Sequence, residues 1–460
     1  NTLTFKLSQC NLKTGFFMKT SQLKQAVICG AMLLGSTIVS AEVLTLQRTY
    51  ELAQQNDPQW AAAKNTYQAN QQVIDQNRSG LLPQINLTGN YRQNDVEYED
   101  LGDDDYDSHG YSANLRQPLF RLDNWHTYKV GKALDSQYSA EFQNTTEVFY
   151  LRVVSRYLDV LRANANLTYR KAEQEAIARQ LEQSKQRFEV GLVAITDVHE
   201  AQAAYDVAVS SRISAESDQF VALRLLETIT GATVENVVDI RKDLAVTVPE
   251  PLDVNLWIER ALANNANLQA AIYAAEAAQQ NYKSQRGKHA PTLDLVGTHN
   301  YSSTDAQSLA TGGTSPDTTS NIIGLELEIP LYSGGAISAS RRQSQYQFLA
   351  AQDLEHQARR ETIQDVTNFY QLTIANVAEV TARKQSTNSA KVALEATQAG
   401  YEAGTRTIVD VLNVQRNLFQ NERDYTNARF DYVLNSLRLK RVAGMLTEEE
   451  LLTLEQWMER

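Results

Sequence analysis

The sequence predicts an α+β fold made of two copies of one unit, each with two strands and a pair of long helices. Three observations support this. One motif recurs 213 positions further along the chain, long stretches without glycine or proline show helical periodicity, and short stretches beside prolines alternate apolar and polar residues. Apolar residues make up 42% of the chain, which suits long helices with narrow apolar seams better than a large globular core.

The internal repeat is clearest in a twelve-residue motif. Residues Arg187–Val198 correspond to Gly400–Val411, with a glutamate, a glycine and an aspartate at matching positions. Two proline-containing segments correspond in the same way, Leu82–Leu87 to Ala290–Leu295 and Gln117–Phe120 to Ile329–Tyr332. One duplication therefore predicts two repeats, at residues 42–248 and 249–460.

Long helical hairpins are predicted in each repeat. Lys132–Val190 and Ala336–Ala399 contain neither glycine nor proline, and apolar residues recur in them at 3-4-3-4 spacing. That spacing places one apolar stripe along a helix of about 90–100 Å, so each helix needs a partner along its length. Gly191 and Gly404 follow as the helix-tip turns. The predicted helices are 122–190 and 197–231 in the first repeat, and 336–403 and 409–444 in the second.

Four short strands are predicted, at 84–92, 110–118, 292–301 and 321–330. Each has one apolar and one polar face, a pattern typical of an outer-membrane barrel but also compatible with two soluble hairpins. Four strands cannot close a barrel, and lipid does not tolerate an open edge. A barrel would therefore need several chains, such as two chains with eight strands or three with twelve. The polar segments Gln93–Gly110 and Ser302–Ser320 are predicted as loops.

Residues 1–41 are predicted to contain upstream sequence and a cleaved signal peptide. Met18 precedes two lysines, an apolar run and small residues up to Ala41. Both cysteines, Cys10 and Cys29, fall in this segment, so no disulfide or thiol site is expected afterwards. Its removal takes the formal net charge from −12 to −16, because it contains four lysines and no acid. No clustered basic surface for nucleic acid is visible.

No catalytic or metal-binding motif is recognisable in the chain. The six histidines are scattered, and neither a zinc-protease motif nor a nucleophile elbow occurs. We therefore expect no enzymatic activity, no cofactor and no metal. The interpretations that remain are a membrane channel subunit, a soluble periplasmic coiled-coil or adaptor-like protein and, least favoured, an enzyme whose site is not recognisable from sequence motifs. The second leaves the four amphipathic strands unexplained.

The two copies of the twelve-residue motif differ in their polar groups. The residues that differ are Phe188 and Val193 in the first copy and Tyr401 and Arg406 in the second. One hairpin can therefore offer an arginine and a tyrosine hydroxyl to acceptors on the other, such as Thr196 and Asp197. The acids Asp197 and Asp410 also stand where negative charge stabilises a helix start, and both roles can coexist.

These motifs carry a resemblance to a known family. Gly191–Val198, Gly404–Val411, Leu81–Gln84 and Pro291–Leu295 resemble segments of the TolC family of outer-membrane efflux proteins, and the resemblance extends in order over residues 42–455. It implies a homotrimer with a twelve-stranded transmembrane β-barrel and a periplasmic α-barrel tunnel. It also implies a passive exit duct of tripartite efflux pumps and type I secretion systems, joined through a periplasmic adaptor (membrane-fusion) protein to an inner-membrane RND or ABC transporter.

The resemblance assigns roles at the helix tips as well. It implies a latch that holds the tunnel entrance closed, made by Gln180, Thr196, Asp197, Tyr401 and Arg406. Asp410 is implied to form an acidic ring at the pore constriction, which favours cations. The resembling proteins carry a second acid one turn later, where this chain has Asn413. A weaker cation preference and a weaker block by multivalent cations are therefore expected.

Overall fold

The computed structural model describes residues 44–98, 102–241, 245–305 and 317–458. The predicted signal peptide at 1–41 lies outside the described residues, as does most of the predicted loop at Ser302–Ser320.

Both halves of the chain have shorter helices followed by two strands, a long helix and a return helix, and the second half ends with one further helix. The first half contains α1 Leu46–Asn56, α2 Pro58–Asn70, α3 Val73–Arg78, β1 Gln84–Tyr98, β2 Gly102–Phe120, α4 Leu122–Glu189 and α5 Ile195–Thr230. The second half contains α6 Val254–Asn264, α7 Ala266–Gly287, β3 Thr292–Thr304, β4 Thr318–Glu328, α8 Ala336–Glu402, α9 Ile408–Val442 and α10 Glu448–Thr453. Two strands, a long helix and a return helix thus occur twice, which confirms the predicted duplicated α+β fold.

The strands form one antiparallel sheet in the order β1-β2-β3-β4. The register places Ile85 opposite Leu115 and Leu295 opposite Leu325, so one face of the sheet is apolar. Strongly exposed members of this apolar face are Ile85, Leu87, Tyr91, Tyr111, Ile323, Leu325 and Leu327. An exposed apolar surface of this extent marks a contact with membrane or protein.

The first hairpin is longer than the sequence indicated. Gln93–Gly110 was expected to be a loop, but β1 continues to Tyr98 and β2 begins at Gly102. Polar side chains bridge the two strands there. Tyr91 Oη donates to Asp107 Oδ2 at 2.7 Å, and Asn94 Nδ2 donates to Ser108 Oγ at 3.0 Å. The prediction of a loop was wrong because polar composition was taken for irregular structure, whereas cross-strand hydrogen bonds stabilise polar strands equally well.

A buried carboxylate joins the sheet to the helices. Asp294 is 1% exposed, and its Oδ2 accepts a hydrogen bond from Arg116 Nε at 2.8 Å. Arg121 donates to both carboxylate oxygens, at 2.9 Å and 2.5 Å. Arg116 also reaches Glu326, at 2.9 Å. Because Arg121 is the residue before α4, these bonds tie the start of α4 to the polar face of the sheet.

The main apolar core surrounds the middle of α4. This helix has 68 residues and is therefore about 100 Å long. Tyr157 of α4 is fully buried, and its hydroxyl donates to the carbonyl oxygen of Val238 at 2.7 Å. That bond fastens the segment after α5 to the long helix. Leu451 of α10 and Phe430 of α9 belong to the same core.

Within the described ranges, no helix combines the length and the apolarity that are needed to cross a membrane.

Candidate gate at the helix tips

Both long helices end in a glycine turn of the same geometry. Gly191 follows α4 with φ of +75°, and Gly404 follows α8 with φ of +77°. The N–H of Leu192 bonds to the carbonyl of Arg187 at 2.8 Å, and the N–H of Thr405 bonds to that of Gly400 at 2.8 Å. This is the left-handed helix end for which glycine is favoured. The glycine and the aspartate six residues later, which both copies of the motif share, therefore lie at equivalent places in the two helix tips.

The return helices begin differently in the two repeats. In α9, Asp410 Oδ2 accepts from the backbone N–H and the hydroxyl of Thr407, both at 2.9 Å, and Thr407 Oγ1 accepts from Asp410 N–H at 3.3 Å. This capping box stabilises the helix start. The bonds from Thr407, with a smaller contribution from the charge of Arg406, lower the pKa of Asp410.

Asp197 occupies the matching position in α5 but makes no such cap. Ala194 stands where the second repeat has Thr407, and it has no side-chain acceptor. Within the described residues the Asp197 carboxylate accepts no hydrogen bond and forms no ion pair. The expectation that acids stabilise both helix starts is therefore met by bonds at Asp410, whereas Asp197 remains available to another donor.

Tyr401 is buried against α4. It is 6% exposed and packs with Ile177 of α4 and with the first turns of α9. The guanidinium of Arg187 lies 4.8 Å from the centre of its ring. The equivalent aromatic residue of the first repeat, Phe188, is 42% exposed. The sequence difference between the two tips thus corresponds to a difference in burial.

Several polar side-chain atoms near Tyr401, on α4, α8 and α9, are buried without a hydrogen-bond partner among the described residues. They are Gln180 Nε2, Ser184 Oγ, Tyr401 Oη and Gln415 Oε1. Burying such groups without a hydrogen bond costs free energy. Sequence reasoning identified Gln180 and Tyr401 but missed Arg187, Ser184 and Gln415. The 3-4-3 spacing of Ile177, Gln180, Ser184 and Arg187 was a signal that one face of α4 meets the second tip.

Arg406 is exposed and packs its side chain over Gly400, where an added Cβ would come within 2.8 Å of Arg406 Cγ. In this single chain it forms no hydrogen bond or ion pair with Thr196 or Asp197 among the described residues. Asn413 is also exposed and follows Asp410 by one turn of α9. The chain thus brings Tyr401 beside the helix that carries Gln180. The side chains of Thr196, Asp197 and Arg406 form no hydrogen bond or ion pair in the part of the chain that the structure describes.

Long helical hairpins joined to a four-stranded sheet with an exposed apolar face indicate a membrane protein of the channel-forming class. The family model for outer membrane efflux proteins matches residues 49–232 and 257–445. The chain belongs to this family. It is an outer-membrane exit duct whose helical part lies in the periplasm, and this membership decides against the soluble adaptor-like alternative.

Individual relatives agree with this assignment. The outer membrane protein TolC of Vibrio cholerae is 36% identical over 91% of this chain and 94% of its own length. The alkaline protease secretion protein AprF of Pseudomonas aeruginosa is 28% identical over 89% and 86%. Among solved structures, VceC of Vibrio cholerae superposes with a TM-score of 0.73 at 19% identity, covering 87% of this chain and 96% of that one. CmeC of Campylobacter jejuni has a TM-score of 0.73 at 15% identity, covering 89% of each.

Proposed function

We propose that three copies of this chain assemble into one duct, in which each copy supplies four of twelve barrel strands. The observation that supports this is the state of the sheet edges. β1 and β4 each pair on one side only among the described residues, and the apolar face beside them is exposed. Unpaired edges are not tolerated in lipid. Because β1 and β4 run in opposite directions, β4 of one copy can continue the antiparallel ladder with β1 of the next.

The helical hairpins α4–α5 and α8–α9 form the wall of the periplasmic tunnel in this proposal. Exposed apolar residues along α5 and α8 are candidates for contacts between copies, among them Val207, Phe220, Tyr346 and Val392. The free end of the tunnel is the set of tips that carry Gly191 and Gly404. Cargo enters there, and it leaves through the barrel.

The latch completes the proposal at the tips. Tyr401 Oη and Gln180 Nε2 are buried without partners, and the Asp197 carboxylate and the Arg406 guanidinium are also unbonded within the described chain. These groups are complementary donors and acceptors, so bonds among them and with Thr196, in the closed assembly, hold the entrance shut. Asp410 then lines the constriction. Asn413 beside it leaves the ring with a single acid per copy and hence a weaker preference for cations.

Partner proteins are proposed from the relatives. The alkaline protease secretion protein of Pseudomonas aeruginosa and the outer membrane efflux protein BepC of Brucella suis are similar along almost the whole chain. In this proposal the duct is passive. An inner-membrane transporter of the RND or ABC class supplies the energy for export, and a periplasmic adaptor connects the transporter to the duct.

Single-channel recording tests the latch. The double variant Tyr401→Phe with Arg406→Ser removes the hydroxyl and the cation, so we expect a several-fold higher conductance than wild type. The matched control is Phe188→Leu with Val193→Ser at the equivalent positions of the first repeat, which should leave conductance unchanged. Equal conductance of the double variant and wild type, in channels of unchanged stoichiometry, would refute the latch while leaving the duct itself intact.

A further inference from the structure

One face of α4 near the sheet has no partner among the described residues of the chain. Asn124 bonds to the carbonyl of Gly80, and Gly131 lies against Asn77 of α3. His126 and Thr127 bond to Gln280 and Ser284 of α7. These contacts occupy two sides of the helix. The remaining side carries Leu122, Trp125, Lys129 and Lys132, which recur at 3-4-3 spacing and therefore share one face.

This unpartnered face continues the apolar face of the sheet. Phe120 lies opposite Leu293 and belongs to that apolar face, whereas Arg121 turns to the polar face and bonds to Asp294. Exposed apolar residues follow one another along the junction. They are Leu119, Phe120, Leu122 and Trp125, with exposed fractions of 53%, 52%, 36% and 47%. The chain is an outer-membrane protein, and aromatic side chains such as Trp125 are enriched where a membrane meets water.

Two lysines stand just beyond the strip with their charges unpaired. Lys129 Nζ lies 5.6 Å from the Trp125 ring centre, and Lys132 Nζ lies 5.1 Å from the Tyr128 ring centre. Neither ammonium forms an ion pair or a hydrogen bond among the described residues. Stacking on an aromatic face positions an ammonium but leaves its N–H donors available. The next acid along α4, Asp135, lies with residues of α6 and α7 at a different side of the helix.

We propose that Trp125, Lys129 and Lys132 bind the headgroup of an anionic glycerophospholipid in the periplasmic leaflet of the outer membrane. Trp125 is about 5 Å and Lys129 about 10 Å beyond the first residue of α4, at about 1.5 Å per residue. A headgroup layer is about 5–8 Å thick. Lysine side chains extend toward such a layer, and tryptophan is enriched in it. The lipid phosphate supplies the negative charge that the two ammonium groups lack among the described residues.

Fluorescence quenching by brominated lipids tests this directly. The full chain is reconstituted in bilayers that contain a fixed fraction of brominated phosphatidylglycerol or of brominated phosphatidylcholine. The Trp125→Phe variant provides the signal of the other three tryptophans, Trp60, Trp257 and Trp457, for subtraction. We expect the anionic lipid to quench Trp125 more strongly, with an enrichment of about five-fold per lysine that falls as salt is added.

Lysine variants distinguish a specific site for the lipid headgroup from non-specific electrostatic attraction of anionic lipid to the chain. Lys129→Gln with Lys132→Gln should abolish the preference for the anionic lipid. The matched control, Lys171→Gln with Lys185→Gln, makes the same charge change at exposed positions of α4, about 70–95 Å from the sheet, and should keep the preference. Equal quenching by both lipids in wild type, no quenching by either, or a preference that survives in the Lys129/Lys132 variant would each overturn the proposal. The number of chains is measured on the same samples, so a failure of three-copy assembly is recorded separately.

Discussion

At the residue scale, the two tips use the same acid for different tasks. Asp410 is bonded to its own helix start through Thr407, whereas Asp197 has Ala194 at the N-cap position three residues earlier and accepts no bond within the described chain. A single difference between the repeats, Ala194 against Thr407, therefore determines which carboxylate stabilises a helix. It also determines which one is available to a second hairpin.

The capping box predicts a local effect of Asp410→Asn. Loss of the carboxylate should increase amide hydrogen exchange in the first turn of α9, because a capping interaction is removed. The pKa of Asp410 is lowered in the folded chain. Its stabilisation is therefore present above the unfolded pKa of about 3.9 and is lost as the pH falls through the lower folded pKa. Asp197→Asn is the control and should change exchange in α5 less, because it removes a charge near a helix start but no capping bond; equal effects of the two variants would be inconsistent with this assignment.

The buried carboxyl group of Glu147 makes the stability of the fold depend on pH in the opposite direction to Asp410. It is 5% exposed in α4, and burial raises its pKa to about 7, opposed by a bond from Gln143 and by the charge of Arg441. The folded chain therefore loses stability as the pH rises from about 4.3 to 7, while the unfolded chain ionises. Glu147→Gln should stabilise by about 1–2 kcal/mol at pH 8 and by nothing near pH 4.

Thermal unfolding across this pH range measures the Glu147 effect. Glu141→Gln is the matched control, because Glu141 also accepts a bond from the glutamine four residues earlier but lies exposed on the same helix. It should change stability little at any pH. A Glu147→Gln variant that is no more stable than wild type at pH 8 would contradict the interpretation.

Residue roles were only partly predictable from the sequence. The divergence of Tyr401 and Arg406 from the first repeat was visible, since aligned copies expose such differences directly. The burial of Tyr401 under Arg187 was not visible. It depends on the rotational phase at which α4 meets the second tip, and small changes of helix packing over about 60 residues alter that phase.

At the element scale, glycines set the helix ends in two distinct ways. At Gly404 an added Cβ meets nothing within 4 Å, so only the positive φ opposes a side chain. At Gly444, with φ of +68°, an added Cβ would come within 2.4 Å of the carbonyl oxygen of Asn264. The first glycine forms an open turn, and the second permits a close approach between the end of α9 and the end of α6.

These two environments predict different losses of folding stability when each glycine is replaced by alanine. Gly404→Ala should destabilise by about 1–2 kcal/mol, the cost of a left-handed conformation with a Cβ. Gly444→Ala should cost more, because backbone must move as well. Thermal unfolding of both variants beside wild type measures this. Equal destabilisation would show that the contact at Asn264 relaxes without cost.

The sequence predicted the elements better than their ends. The long helices follow from periodicity and from the absence of glycine and proline, signals that persist over many turns. The end of the β1–β2 hairpin nearest its turn was missed because its residues are polar on both faces of the sheet, as at Asn94 and Asp107. Alternation disappears there, although cross-strand bonds continue the ladder.

At the scale of the whole molecule, the chain is incomplete as a membrane structure. The apolar face of its sheet is exposed, and the outer edges of β1 and β4 are unpaired among the described residues. The helices α5 and α8, of which α8 has 67 residues and is about 100 Å long, likewise expose apolar side chains. Both features are accounted for if further copies of the same chain complete the wall.

The most direct test of this account is the number of chains in the complex extracted from the outer membrane, determined by native mass spectrometry in detergent. Assembly of three copies predicts a complex of three identical chains in the outer-membrane fraction, with twelve strands in its barrel. A single chain, or a pair of chains, as the predominant species in that fraction would contradict it.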